Sequence, residues 1–266
     1  MSTLLWVVLP YVSLTLLVVG MVWRWRSDRF GWTSRSSELY ESKMLRISSP
    51  LFHYGILLVA LGHFMGLLVP KSWTTAWGVH EHTYHLIATI PGAIAAVMTI
   101  VGLVGLLYRR FVIRSVRLAT SRSDLVMYAF LTLAILLGGF ATLTQQILGT
   151  GGEGYDYRET ISPWLRSILS FQPRPELMAD VPLAFKLHVV AGFLLFAVWP
   201  FTRLVHAVSA PLGYVSRPYV VYRSASPSVG TSPSARGWSP VGSSRRRRRR
   251  RARSSLDIDE VGPSGA

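Results

Sequence analysis

The sequence predicts an all-α integral membrane protein with five transmembrane helices, on two observations. Half of the 266 residues are hydrophobic and only 15% are charged, whereas a soluble domain usually carries about 25% charged residues. The apolar residues also form long stretches, most of which contain no Asp, Glu, Lys or Arg. Cysteine is absent, which excludes disulfides, a thiol nucleophile and Cys-ligated iron–sulfur clusters within this chain.

Each stretch is long enough to cross a bilayer, because about 20 residues at about 1.5 Å rise span the ~30 Å hydrocarbon core. The first stretch is followed, not preceded, by Arg24 and Arg26, which favours a retained span over a cleaved signal peptide. The fifth is interrupted only by Lys186 and Arg203, near its ends, where long side chains reach the headgroups. The predicted spans are 4–23, 47–69, 83–108, 125–152 and 181–206.

Basic residues collect in alternate connections. Six lie in the link 24–46 and five in 109–122, but the link after the second span has only Lys71. In the fourth link, four basic residues face five acids. The positive-inside rule therefore predicts an outer N-terminus and a cytoplasmic C-terminus.

The composition divides the chain into two parts. Residues 1–222 form the predicted membrane domain, whereas 223–266 are rich in Ser, Pro, Gly and Arg, with an unbroken arginine run at 245–251. This predicts a disordered cytoplasmic tail. Aromatic residues are not interleaved with the arginines, so we interpret the tail as lying near anionic membrane lipid and expect no nucleic-acid binding.

Four histidines lie within predicted spans: His53 and His63 in the second, His188 and His206 in the fifth. An imidazole at that depth needs a partner, and neutral imidazole is a common axial ligand of haem iron. Because these spans run antiparallel, His53 matches His206 near the cytoplasm and His63 matches His188 toward the outside. We interpret the four as iron ligands of two b-type haems. The alternative is that each histidine only hydrogen-bonds across helices.

The separations of the two histidines on each span differ. His53 and His63 are about 15 Å apart along a helix axis, whereas His188 and His206 are about 27 Å apart on one face of a continuous helix. We expect a bend at Pro200 and different helix tilts to absorb the difference. Neighbouring glycines are expected to let a flat macrocycle or another helix approach: Gly55, Gly62, Gly66 and Gly192.

Three further histidines, His80, His82 and His85, surround the outer start of the third span together with Glu81. Their spacing is compatible with zinc, but histidines at the water interface are more often solvated. We interpret His82 and His85 as a proton relay beside a site of quinol oxidation.

Three cations at span ends, Arg109, Lys186 and Arg203, are candidate partners of haem carboxylates. Anchoring at the headgroups is the alternative for each of them.

The sequence resembles a known family, the gamma subunit of membrane-bound respiratory nitrate reductase, a dihaem cytochrome b. The resemblance covers about 11–222, and its motifs contain all four span histidines in order. They are SPLFHYGIL at 49–57, GHFMGLLVP at 62–70, FKLH at 185–188 and PFTRLVH at 200–206.

This resemblance implies anaerobic respiration at the cytoplasmic membrane. The outer haem takes electrons from quinol, here taken as menaquinol, and the inner haem passes them to an iron–sulfur beta subunit. A molybdenum-containing alpha subunit then reduces nitrate in the cytoplasm. The resemblance assigns His63 and His188 to the outer haem, His53 and His206 to the inner one, and Gly62 with His63 to the quinol pocket.

The family's quinol-site lysine, which follows the acidic residue at the start of the third span, is missing after Glu81. We take His82 or His85 as its substitute. Two other kinds of protein remain open: a dihaem gamma subunit of another quinone-linked oxidoreductase, and a histidine-containing transporter or membrane anchor. We expect a separate subunit, although a segment of a longer fused reductase is the alternative.

Overall fold

A computed structural model of the chain describes residues 2–28, 32, 37–148 and 155–208. Across these ranges the regular structure is helical, with no strand, and five helices are long and apolar enough to cross a membrane. The predicted fold class and number of spans are therefore confirmed. The tail 223–266 lies outside the described residues. The five spans are Leu4–Ser27, Lys43–Leu68, His82–Val112, Arg122–Ile147 and Leu183–Phe201.

Most of the spans continue beyond the uncharged stretches into basic residues. The third span extends to Val112 and so includes Arg109 and Arg110. Arginines can lie at the end of such a helix because neighbouring carboxylates can pair with them. The helices are α1 (Leu9–Ser27), α2 (Lys43–His63), α3 (Lys71–Ala76), α4 (Glu81–Val112), α5 (Arg114–Leu118), α6 (Arg122–Ala141), α7 (Ile161–Leu169) and α8 (Leu183–Val198). Turns of π-helix precede α1 (Leu4–Val8) and follow α2 (Phe64–Leu68) and α6 (Thr142–Ile147).

Helix α2 packs along α4 through small residues. A Cβ on Gly55 would lie 2.6 Å from Thr99 Oγ1, and one on Gly102 would overlap the backbone of Phe52. The backbones of the two helices therefore approach as closely as small-residue contacts allow. Gly55, expected beside a macrocycle or a helix, packs against a helix.

Helix α8 is central to the rest of the bundle. It packs against α6 and α1, and α4 touches α6 less extensively. Among the described residues α2 and α8 are not an extensively packed pair, although both carry span histidines.

The connection between α6 and α8, predicted only as a link, contains the short helix α7. Trp164 of α7 is almost fully buried and donates its Nε1–H to the carbonyl of Trp6 at 3.0 Å. The two indoles meet edge to face at 5.9 Å. Trp164 also meets Phe193 of α8 edge to face at 6.0 Å, so α7 belongs to the buried core between the start of the first span and α8.

The fifth span does not continue as one helix to His206. Helix α8 ends at Val198, a 3-10 turn covers Trp199–Phe201, and Thr202 is extended. A second 3-10 segment, Arg203–Ala207, carries His206. The break lies at Pro200, where a bend was expected, but the assumption that both histidines share one face of a continuous helix was wrong.

Candidate functional site

The structure brings the four span histidines together as two pairs. The ring centroids of His53 and His206 are 6.0 Å apart, with an angle of 66° between the ring planes. Those of His63 and His188 are 5.9 Å apart, with an angle of 54°. We call His53 and His206 the first pair and His63 and His188 the second pair. The first pair lies nearer the arginine-rich helix ends, where α2 begins, and the second nearer the opposite ends.

Each of the four imidazoles places Nδ1 on a backbone carbonyl oxygen. A carbonyl oxygen only accepts hydrogen bonds, so Nδ1 must carry the proton, and the lone pair then resides on Nε2. A hydrogen bond of this kind fixes the ring orientation and tautomer of a metal-ligating histidine. The acceptors are Ser49 for His53 (2.7 Å), Val59 for His63 (2.8 Å), Ala134 for His188 (3.0 Å) and Arg203 for His206 (2.5 Å).

The spacing within each pair suits one metal ion held between two imidazoles. Two metal–nitrogen bonds of about 2 Å, with roughly 1 Å from nitrogen to ring centre on each side, separate the centroids by about 6 Å. The observed separations of 6.0 Å and 5.9 Å agree with this value. The nitrogen donors, the protein's own Nδ1 bonds and the spacing all fit bis-histidine haem ligation.

The glycines near the histidines fall into two groups. A Cβ on Gly62 or Gly192 would meet no atom of the described structure within 4 Å, so open space borders α2 beside His63 and α8 one turn beyond His188. These two positions fit the space that a flat macrocycle needs. A Cβ on Gly66 would instead lie 2.6 Å from the hydroxyl oxygen of Tyr157. Gly66 is therefore a packing glycine.

The three candidate carboxylate-binding cations have protein partners. Arg109 is 2% exposed and donates from Nε to Glu41 Oε2 at 2.6 Å and from Nη1 to Ser37 Oγ at 2.8 Å. Lys186 donates to the carbonyl of Ala179 at 2.7 Å. These contacts favour structural roles for Arg109 and Lys186 over haem-carboxylate binding.

The third cation, Arg203, pairs with Asp124, which is completely buried. Its guanidinium therefore also has a carboxylate partner within the protein. The interpretation of Arg203 as a haem-carboxylate partner gains no support from this contact.

The histidines at the start of α4 do not form a metal cluster. Throughout the described residues no group of three His, Asp or Glu side chains could hold a metal ion. His80 and His82 are exposed, whereas His85 donates from Nε2 to Gln146 Oε1 at 3.1 Å. Gln146 in turn donates to the carbonyl of Tyr155 at 2.8 Å, so His85 begins a polar chain that His82 does not share.

A buried arginine lies near this chain. Arg158 is 4% exposed, donates to Thr74 Oγ1 at 2.7 Å and lies 3.7 Å from the centre of the Tyr84 ring. Burial raises the pKa of the neighbouring Tyr157, and the Tyr84 hydroxyl adds to this shift. Tyr157 therefore remains a neutral hydroxyl against Gly66.

Sequence reasoning missed three residues at this site: Gly138, Gln146 and Asp124. Gly138 contacts the His188 ring, but a glycine in an apolar run gives no distinguishing signal. Gln146 gave only a weak cue, as a polar residue near the end of a span. Asp124 had a readable signal, because Ser121 and Asp124 have the spacing of a capping box before an apolar run.

In the described part of the chain, five helices able to cross a membrane and two histidine pairs are what a multi-pass membrane protein of the electron-transport class would have. The chain belongs to the nitrate reductase gamma subunit family, whose family model matches residues 2–225. It is therefore a multi-pass protein of the cell membrane, in a family that contributes subunits to an oxidoreductase complex.

Named relatives agree with this assignment. The chain is 44% identical to the nitrate reductase gamma chain of Bacillus subtilis over 83% of its own length and 97% of that protein. It is 33% identical to the respiratory nitrate reductase 2 gamma chain of Escherichia coli, over 81% of this chain and 93% of the other. It is also 52% identical, over 90% of its length, to the nitrate reductase-like protein NarX of Mycobacterium tuberculosis H37Rv, of which it spans 36%.

Proposed function

We propose that this chain is the membrane cytochrome b subunit of a respiratory nitrate reductase, which oxidises quinol at the outer side of the membrane. Electrons then pass to a cytoplasmic iron–sulfur beta subunit and on to a molybdenum-containing alpha subunit that reduces nitrate. In this proposal the arginine-rich helix ends face the cytoplasm, as the positive-inside rule requires. The first histidine pair is then the inner pair and the second the outer pair.

The observation that carries the proposal is the shared arrangement of the four imidazoles. Each bonds a backbone carbonyl through Nδ1, and within each pair the ring centres are about 6 Å apart. The same tautomer and the same ring spacing recur at two depths of the bundle, as two bis-histidine sites require. Two haem b groups, when bound, supply reversible one-electron transfer at these two depths.

The chain's own residues orient and separate these groups. His53 and His206 hold the inner haem, and His63 and His188 hold the outer one. The apolar spans exclude water between the two depths. Gly62 beside His63 borders the open space in which a quinol ring can approach the outer pair.

Quinol oxidation also releases protons, and His85 is the residue we propose to receive them. Its Nε2 lies 3.1 Å from Oε1 of Gln146. Gln146 in turn is bonded to Tyr155, at the start of the polar link 155–160 outside the spans. His82 is exposed at the same end of α4 and is the second candidate.

An optical spectrum tests the haem part of the proposal. Membranes containing the full chain should show b-type bands in a reduced-minus-oxidised spectrum, with two haems per chain by pyridine haemochrome. His63→Ala should remove one haem and leave the other, and His53→Ala should do the reverse. An unaltered chain in the membrane without b-type bands would contradict the proposal and favour a transporter or anchor.

A second experiment tests the acceptor. With beta and alpha subunits co-purified, nitrate should reoxidise the dithionite-reduced haems after the reductant is exhausted. If the haems are reduced by a quinol analogue but remain reduced in the presence of nitrate, the chain serves a different quinone-linked oxidoreductase.

A further inference from the structure

His206 is held differently from the other three paired histidines. His53, His63 and His188 lie on α2 or α8, whereas His206 lies on the five-residue 3-10 segment Arg203–Ala207. Short 3-10 segments have poor hydrogen-bond geometry of their own. The position of the His206 ring therefore depends on contacts from other elements.

One such contact comes from the beginning of α6. Arg203 Nη2 donates to Asp124 Oδ2 at 2.8 Å, and Nε of the same guanidinium pairs with Oδ1. The two groups form a buried ion pair that includes one charge-assisted hydrogen bond, which holds the Arg203 side chain against the start of α6. Arg110 of α4 adds a longer contact of 3.9 Å to Asp124 Oδ2.

Asp124 itself is rigidly placed. Its side chain is 0% exposed and accepts from the backbone N–H of Ser121 at 2.9 Å, while its own N–H is bonded by Ser121 Oγ. This capping box fixes the carboxylate at the first turn of α6. Removal of the charge would leave two arginines close together without their buried counter-ion.

The fixed arginine also holds the histidine. The carbonyl oxygen of Arg203 accepts the Nδ1 proton of His206 at 2.5 Å. Arg203 thus binds Asp124 through its side chain and His206 through its backbone carbonyl. It therefore sets the tautomer and orientation of the His206 ring.

A second contact holds the start of the same segment. Arg24 of α1 donates from Nη1 to the carbonyls of Pro200 at 2.6 Å and Thr202 at 3.0 Å. Arg24 therefore fixes the break after α8 at the residues that precede Arg203. Asp124 binds the side chain of Arg203 itself, whose carbonyl accepts the His206 proton.

We infer that Asp124 is a positioning residue for the inner haem site, acting through Arg203 on His206. The inference rests on the proposed function, since it assumes haem at the first pair. It predicts an asymmetric effect: a change at Asp124 disturbs the first pair and leaves the second pair intact. A purely structural role at the end of the bundle would disturb both pairs or neither.

The test compares Asp124→Asn with the unaltered full chain in its complex. Asn keeps the size of the side chain but cannot neutralise the two arginines. The expected result is one haem component lost, or its midpoint potential shifted, while the other is unchanged. To assign the components, His53→Ala and His63→Ala remove the first-pair and second-pair haem respectively. Asp124→Glu, which retains the charge, should restore part of the lost or shifted component.

Glu41→Gln is the matched control. Glu41 also pairs with a buried arginine, Arg109, near the same helix ends, but this pair does not involve the segment 203–207. Both haem components should be unchanged in this variant. If Glu41→Gln and Asp124→Asn change the same component equally, the effect is not specific and the inference fails.

Other outcomes are also decisive. Two unchanged components in Asp124→Asn, or equal loss of both, would overturn the inference while leaving the proposed function intact. Absence of haem from the unaltered chain would instead overturn the proposed function. If Asp124→Asn does not accumulate, Arg203→Lys replaces it: partial change confined to the first-pair haem supports the inference, and two unchanged haems contradict it.

Discussion

Gly138 of α6 lies directly against the imidazole of His188. A Cβ at residue 138 would be 2.8 Å from Cε1 and 3.1 Å from Nδ1 of that ring. The carbonyl of Ala134, one turn earlier on α6, accepts the Nδ1 proton of the same histidine. One turn of α6 therefore positions this ring in two ways: Gly138 leaves room for the ring, and the carbonyl of Ala134 accepts its hydrogen bond.

We predict that Gly138→Ala displaces the His188 ring. A methyl group at 2.8 Å cannot be accommodated without movement, and overpacking of this kind costs about 1–3 kcal/mol. The haem of the second pair should be lost or its spectrum shifted, with the first-pair haem retained. Gly92→Ala is the control, because a Cβ there meets nothing within 4 Å in the described residues. Equal spectra for both variants would contradict the prediction.

The open space beside Gly192 gives a second prediction. Gly192→Leu should lower the haem content from two per chain toward one, because a branched side chain would fill space that we assign to the second-pair macrocycle. The pyridine haemochrome assay measures this content. Gly92→Leu, in a similarly open position on α4, should retain both haems. Full haem content in Gly192→Leu would mean that lipid, not a cofactor, occupies the space.

Glu41 gives a pH-dependent prediction. Burial raises the pKa of this carboxyl group, but hydrogen bonds from the Met44 amide and Arg109 lower it by more, so the net shift is below the ordinary 4.5. A lowered folded-state pKa stabilises the protein above pH 4.5, and this contribution is lost as pH falls through the folded value.

Glu41→Gln should therefore reduce stability at pH 7 by about 1–2 kcal/mol, through loss of charge-assisted hydrogen bonds. Thermal unfolding of the detergent-solubilised chain measures the effect at pH 7 and at a series of values below 4.5. The two proteins should converge at the acidic end. A difference that stays constant throughout the series would show that the carboxylate charge is not the cause.

His85 gives a prediction for quinol oxidation. Histidine can accept and release a proton near neutral pH, which leucine cannot, so His85→Leu should slow quinol oxidation by roughly tenfold or more. The pH profile of the rate should change as well. His80→Leu, an exposed histidine just before α4, should leave rate and profile unaltered. Unchanged kinetics in His85→Leu would remove this residue from the proton path.

The spans were predictable because hydrocarbon thickness imposes a length on each of them. The stretch 83–108 corresponds to the observed span His82–Val112, and only its basic end was misjudged. That error arose because Arg109 has a carboxylate partner, Glu41, in the link between the first two spans, 68 residues away in the chain. A pairing over that distance leaves no local pattern.

The histidine pairing was also predictable in outline, since antiparallel helices place residues of similar depth together. The path of the chain from Pro200 to His206 was not predictable, because it depends on Thr202 adopting an extended conformation. Proline indicates where a helix is disturbed but not the direction the chain takes next. The contact of Gly138 with His188 depends on the rotation of α6, which its nearly uniform apolar sequence does not reveal.

The position of the paired histidines in the chain has a consequence for biosynthesis. Each pair joins one residue from the second span to one from the fifth span or the turn after it. A ribosome that has completed four spans has therefore made neither site, and both become complete only when the last span has entered the bilayer. In the proposed function, haem loading must therefore follow synthesis of essentially the whole membrane domain. A chain truncated before residue 188 can retain four membrane helices but neither histidine pair.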